Sequence, residues 1–224
     1  LHLIIEPPPV KSPKPMPKSN TPPKAGKGRP ALSKAQKETM RGEIASHAER
    51  LFQDEGYSAI SMRRLAGEVG CSPMTLYKYY ENKIEILRQL WAQIFQTLFD
   101  QIERTQPRDA SPAQALAHMA KTYVIYWIDH PEHYRLVFMS EGVSQQEVST
   151  FVDNTQISNH FVAFFEAMQK ATQLDAQDQR LKHKTDLLIC TLNGIAHSQI
   201  TISAYQWTEA EKLVDMSVTN LVAI

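Results

Sequence analysis

Three helix starts are written into the stretch between Ser61 and Asn82, and they restrict that region to short, closely spaced helices. Ser61 stands ahead of Met62, Leu65, Ala66 and Val69, which recur at helical spacing until Gly70 stops them. Ser72-Pro73 follows at once, an N-cap with proline in the first helical position, where its missing N–H costs nothing. Asn82 caps a third, longer helix whose apolar residues Ile84, Leu87, Trp91, Ile94, Leu98 and Ile102 line one face, and Pro107 closes it. Upstream, Ile44, Ala48, Leu51 and Phe52 form the apolar face of a first helix that begins after Ala31 and ends at Gly56. Gly70-Cys71-Ser72-Pro73 is therefore a tight turn between two short helices, the helix-turn-helix arrangement.

The remainder also reads as helix, with no alternating strand pattern. Helices are expected over 111–129, opened by Ser111-Pro112, over 130–142, over about 145–170, and over 181–203 and 208–223. The last two are apolar on more than one face, so they lie at the centre of a bundle or meet a second subunit. Residues 1–30 are rich in Pro, Lys and Ser and predict a disordered basic tail. The 224 residues thus divide into that tail, a small all-α module over 31–90 and a larger helical body over 91–224.

Charge follows the same division. Residues 1–95 hold 15 basic and 9 acidic side chains, and residues 96–224 hold 9 and 15, so a zero overall balance hides parts of +6 and −6. A basic, polyanion-binding module joined to an acidic body has this pattern. Cys71 and Cys190 are far apart and carry no CxxC spacing, which argues against a disulfide framework or zinc ribbon and for a reducing, cytoplasmic setting. No apolar run reaches the roughly 18 residues of a membrane span, and LHLIIE is too short for a signal-peptide core. The chain opens on Leu1 rather than Met and closes on the helix-like VTNLVAI, from which a longer natural chain is expected.

GCSPMTLYKYYENK, residues 70–83, crowds three tyrosines, two lysines and a threonine onto one turn and its flanks. With Gly56-Tyr57 before it and Ile84 and Leu87 after it, the stretch from Ser61 to Lys83 resembles the DNA-binding domain of the tetracycline-repressor (TetR) family of bacterial transcription regulators. LYKYYENK is similar to the family's Leu-Tyr-x-Tyr-Phe followed by an acidic or polar residue, a capping residue and Lys. The resemblance implies an all-α regulator whose second domain binds a ligand and dimerises. In a recognition helix, Leu76 and Tyr80 face the core at i and i+4, leaving Met74, Thr75, Tyr77, Lys78 and Tyr79 to face the duplex. Tyrosine hydroxyls and the lysine suit phosphate oxygens, while Met74 and Thr75 are placed for base edges. Lys83 and Ser61 sit at helix N-termini, where a phosphate is favoured. Arg63 and Ser72 complete the expected contact set. Arg64 stands where family members commonly carry an acid, so a capping box is missing; it either adds a DNA contact or is a solvated surface arginine. Lys27-Gly28-Arg29-Pro30 resembles an AT-hook core, which makes Arg29 a minor-groove candidate, with a flexible linker as the alternative.

In the body, YWIDHPEHYRLVFMSEG resembles a subset of the family's second domains, and LNGIAHSQI falls where such proteins pair. Tyr123, Tyr126, Trp127, Phe138, Met139, Phe161, Phe164, Phe165 and Met168 are either core residues or the lining of an apolar cavity for a small hydrophobic effector, oriented by His118, His160 or His197. His130 and His133, beside Asp129 and Glu132, could ligate a metal, but the Asp-His-Pro break favours a capped helix junction, so neither a metal nor a cofactor is expected. No GxSxG, HExxH or phosphate-cradling loop supports an enzyme. The leading expectation is a homodimeric, ligand-responsive repressor of a palindromic operator, dimerising through the last two helices. The alternative is an architectural AT-rich DNA-binding protein that uses its basic tail.

Overall fold

The computed structural model describes residues 33–144 and 155–223, the side chains of 155–160 excepted. The tail over 1–30, Arg29 within it, and residues 145–154 of the helix expected from about 145 lie outside the described residues. Among those described there are nine helices and no strand. They are α1 (Lys34–Glu55), α2 (Met62–Val69), α3 (Pro73–Leu76), α4 (Lys83–Thr105), α5 (Pro112–Asp129), α6 (Pro131–Phe138), α7 (Thr155–Thr172), α8 (Gln179–Thr201) and α9 (Ala210–Val222).

The capping signals do what their chemistry requires. Ser61 accepts from the Arg64 N–H at 3.1 Å, Ser72 from the Thr75 N–H at 3.1 Å and Asn82 from the Glu85 N–H at 3.1 Å. Each satisfies one of the donors that a helix start leaves unpaired. Ser111 and Gln114 form a reciprocal capping box at the start of α5. At the other end of α2, Gly70 takes φ 75° and donates to the carbonyls of Ala66 and Gly67, while Cys71 N–H reaches Ala66 O at 2.9 Å. A left-handed residue closes the helix there, which is why glycine occupies it.

Helices α1, α2 and α3 pack in sequence, and α1 also packs on α4. Buried Ile44, Ala48, Leu51 and Phe52 of α1 meet Leu65, Ala66, Leu76 and Leu87 in one apolar core. Helix α4 continues without a break past residue 90, so the two expected modules share it. In the body α5 is central, packed against α4, α6, α7, α8 and α9. It is tied to α8 by the Tyr123 hydroxyl, which donates to Asn193 Oδ1 at 2.9 Å, and to α9 by a 2.7 Å ion pair between Lys121 and Asp215. The indole N–H of Trp91 donates to the Leu136 carbonyl at 2.8 Å, holding α4 to α6.

Two local expectations change. The helix expected over 130–142 ends at Phe138, and Gly142 follows at φ 81°. The junction at Asp129-His130-Pro131 is present, but His130 makes no side-chain capping bond. No described helix is long and apolar enough to cross a membrane.

Candidate nucleic-acid interface

The second element of the helix-turn-helix is only one turn of α-helix. Beyond Leu76 the chain tightens, with Lys78 N–H on Thr75 O at 3.1 Å and Tyr79 N–H on Leu76 O at 3.0 Å, both i to i+3 bonds. The tightening carries Tyr80 under the turn. Leu76 and Tyr80 are almost wholly buried, and they fix which way the rest of the segment faces. Met74 is 77% exposed and Tyr77 52%, and Lys78 is also exposed. Thr75 is half-buried, its hydroxyl 2.9 Å from that of Ser72, so the side chain is held against the cap. Tyr79 is half-buried and packs on the core, which leaves it less available than Tyr77.

The underside is locked by residues whose role the local pattern does not announce. The Tyr80 hydroxyl lies 2.9 Å from the Arg41 carbonyl and 2.7 Å from Gln89 Oε1, and either oxygen can accept its one proton. Burial pushes that phenol up to about 12. The Arg41 guanidinium lies 4.2 Å from the Tyr80 ring centroid and donates to the Tyr79 carbonyl, joining α1 to the end of the turn. Arg41 lies 39 residues from Tyr80 and Gln89 nine, and the packing of α1 and α4 on the turn brings both to it.

The cations divide into engaged and open ones. Arg63 and Lys78 are exposed and make no ion pair among the described residues. Arg64, in contrast, is bound to Glu55 at 2.8 Å and Glu68 at 3.1 Å, and these carboxylates raise its already high pKa. A DNA contact would have to compete with both, so the structure favours the surface-arginine alternative, with ion pairs replacing simple solvation. Lys83, expected to point at a phosphate, instead lies 4.0 Å from the Tyr57 ring centroid and donates to the Tyr57 carbonyl. Partial burial lowers its pKa. Ser61 and Ser72 are exposed caps whose oxygens already accept backbone N–H groups.

Among the described residues, the expected effector residues lie at different places. Tyr123, Tyr126, Trp127 and Phe164 are buried and pack edge-to-face in a chain, with Tyr123 and Phe164 rings 5.5 Å apart. They fill the interior because large rings leave few gaps when they interlock this way. His118 lies at the α4–α5 surface, 2.9 Å from the Thr105 hydroxyl. His197 is exposed, 3.2 Å from the Tyr134 hydroxyl. Met139 is exposed too and borders a separate cleft of about 370 Å³ with Phe52, Tyr57 and Arg135. The side chain of His160 lies outside those described. A groove of about 690 Å³ opens elsewhere, between α7 and α8, with Phe161, Phe165 and Ile189 as its apolar lining and Lys182, His183 and Asp186 as polar lining. Phe161 and Phe165 belong to the aromatic cluster that the sequence offers as core or cavity lining, whereas Lys182, His183, Asp186 and Ile189 carry no such signal.

Residues 44–90 match the family model described as bacterial regulatory proteins, tetR family. The HTH-type transcriptional activator FasR of Mycolicibacterium smegmatis is 23% identical over 60% of this chain, and that match spans 64% of its own length. Among solved structures, the regulatory protein SCO4313 superposes with a TM-score of 0.66 at 18% identity, covering 87% of this chain and all of that one. FadR of Thermus thermophilus, a transcriptional repressor in complex with lauroyl-CoA, gives 0.61 at 15% identity over 81% of this chain and 93% of that one.

Proposed function

Since the chain belongs to the TetR family of DNA-binding transcriptional regulators, we propose that it binds a palindromic operator as a homodimer and represses transcription until a small hydrophobic effector occupies its helical body. The observation that carries this reading is the outward surface of α3 and the turn after it. Met74 and Tyr77 are large apolar side chains left in solvent, next to the open cation Lys78, while Leu76 and Tyr80 hold the same turn down. The exposed methionine suits apolar contact with a base edge in a major groove, and the Tyr77 hydroxyl and Lys78 ammonium suit phosphate oxygens. Met74 and Thr75 read base edges, and Tyr77, Lys78 and Arg63 set the register on phosphates. Arg64 and Lys83 act mainly within the protein.

Residues 31–90 form the DNA-binding unit and 91–224 the effector-binding and dimerising unit. Dimerisation runs through α8 and α9, where Leu187 and Met216 are 56% and 55% exposed. Gly194 has nothing within 4 Å of a notional Cβ, so a second helix could approach closely there. Two recognition turns held about 34–36 Å apart then meet successive major grooves. The effector is assigned to the groove between α7 and α8, and the lauroyl-CoA of the Thermus neighbour supports an acyl-bearing ligand. Selection of bound duplexes from a random pool tests the reading. A palindromic consensus supports it, and mere A·T enrichment would return the protein to an architectural role.

A further inference from the structure

We propose that the α5–α6 junction and α1 together form a binding site for a divalent transition-metal ion of the zinc class, held by His130, Glu132, His133 and Glu49. Pro131 starts α6 and leaves His130 just outside it, at φ −124° and ψ 64°. That turn stacks the two imidazoles, with centroids 5.1 Å apart and planes 25° from parallel. Ligand atoms of His130, Glu132 and His133 all lie within 4.8 Å of one another. His130 Nδ1 is 3.5 Å from Glu132 Oε1, and His133 Nε2 is 3.4 Å from Glu49 Oε1. In a tetrahedral ion with bonds of about 2.0–2.2 Å the ligand atoms are separated by about 3.3–3.6 Å, so modest side-chain rotations close the site.

The hydrogen bonds around His133 point the same way. The Tyr126 hydroxyl can give its proton to the Ile94 carbonyl, 3.5 Å away, and then accept from His133 Nδ1 at 3.0 Å. In the other tautomer the Tyr126 hydroxyl donates to Nδ1, Nε2–H donates to Glu49, and no ion is required. In the tautomer with its proton on Nδ1, the neutral ring turns the bare lone pair of Nε2 toward the Glu49 carboxylate, and a metal ion between them supplies the positive charge that two facing acceptors need. Tyr126 is then the outer partner that orients a metal-bound imidazole. His130 is not used as a cap, and Glu132 and Glu49 have no other polar partner among the described residues. Two imidazole nitrogens with carboxylate oxygens suit zinc, iron, nickel or copper better than magnesium or calcium. From sequence these histidines are assigned to a helix junction; the fold adds Glu49 from α1, which the spacing of His130 and His133 cannot reveal. The ion would bridge α1 and α6, and an effect on DNA binding would rest on the regulator reading, whereas metal binding itself does not.

The test uses the full chain with Cys71→Ser and Cys190→Ser, to remove thiolates as ligands. Titration with Co²⁺ is expected to give visible ligand-field bands that saturate at one ion per protomer and are displaced by Zn²⁺. His133→Ala and His130→Ala should each weaken binding at least about 100-fold, and Glu49→Gln and Tyr126→Phe about 10-fold. Circular dichroism establishes that each variant is folded, and the half-buried Glu132→Gln serves if a histidine variant is not. Binding unchanged by the folded His133→Ala or Glu132→Gln variants would overturn the proposal. So would bands that never saturate, which would mark adventitious ions, or an Nε2 that proves protonated in metal-treated protein, which would make the pair with Glu49 a simple ion pair.

Discussion

Met74→Ala and Leu76→Ala, two residues apart on the same turn, should separate recognition from folding. Leu76 is fully buried against the α1–α4 core, whereas Met74 projects into solvent. Truncating a buried leucine loses the transfer energy of its methyl groups and leaves a cavity, together about 3 kcal/mol. At about 2–4 °C per kcal/mol for a chain of this size, the melting temperature should fall by about 6–12 °C. Met74→Ala removes no packing and should stay within about 0.5 kcal/mol, a shift under about 2 °C. On the selected operator its cost should instead appear as about 1–3 kcal/mol of binding, a loss of roughly 5-fold to 150-fold. Thermal melts followed by circular dichroism, and gel-shift titrations well below the lower melting point, give both numbers. If Met74→Ala melts as early as Leu76→Ala, the division drawn from burial is wrong; if it binds every duplex as tightly as the parent, α3 does not read the groove.

Three further outcomes test other parts of the structure. Leu187→Glu combined with Met216→Glu should leave the fold intact and yield monomers by analytical ultracentrifugation, and a persisting dimer would move the interface off α8 and α9. Tyr77→Phe should weaken binding alike on all sequences, whereas Thr75→Ala should alter preference at one base pair of each half-site, so a uniform loss for Thr75→Ala would demote it to a positioning contact. Burial raises the Tyr80 and Tyr126 phenols from 10.0 to about 12, so the folded state favours their neutral forms. That contribution is fully present below about pH 10 and is lost as pH rises through about 12. Urea midpoints should therefore drop across this window and drop less steeply in Tyr80→Phe, and a flat profile would refute the burial argument.

The helix-turn-helix was legible because its information is local. Caps, turn glycine and apolar spacing each act within a few residues, and Ser61, Gly70, Ser72 and Asn82 all adopt the roles that their chemistry suggests. Side-chain destinations were less legible where partners come from afar. Lys83 meets Tyr57, and Arg64 meets Glu55, across loops whose geometry no spacing rule contains. The aromatic residues of the body were recognised, but composition alone does not say whether rings interlock or line a void. Of that cluster Tyr123, Trp127 and Phe164 interlock, whereas Phe161 and Phe165 border the groove.

Helix α4 has a mechanical consequence. Its 23 residues run from the Asn82 cap beside the recognition turn to Thr105 against His118, without a break. At 1.5 Å per residue the rod is about 35 Å long, and a tilt of about 5° about one end displaces the other by about 3 Å. Partway along, Trp91 is pinned to the Leu136 carbonyl of α6. A fulcrum there, about 12 Å from the start of the helix, converts the same tilt into an opposite movement of about 1 Å at the turn that carries Met74 and Tyr77. In a symmetric pair the displacements of the two turns would combine to about 2 Å, more than half of one base-pair rise of about 3.4 Å.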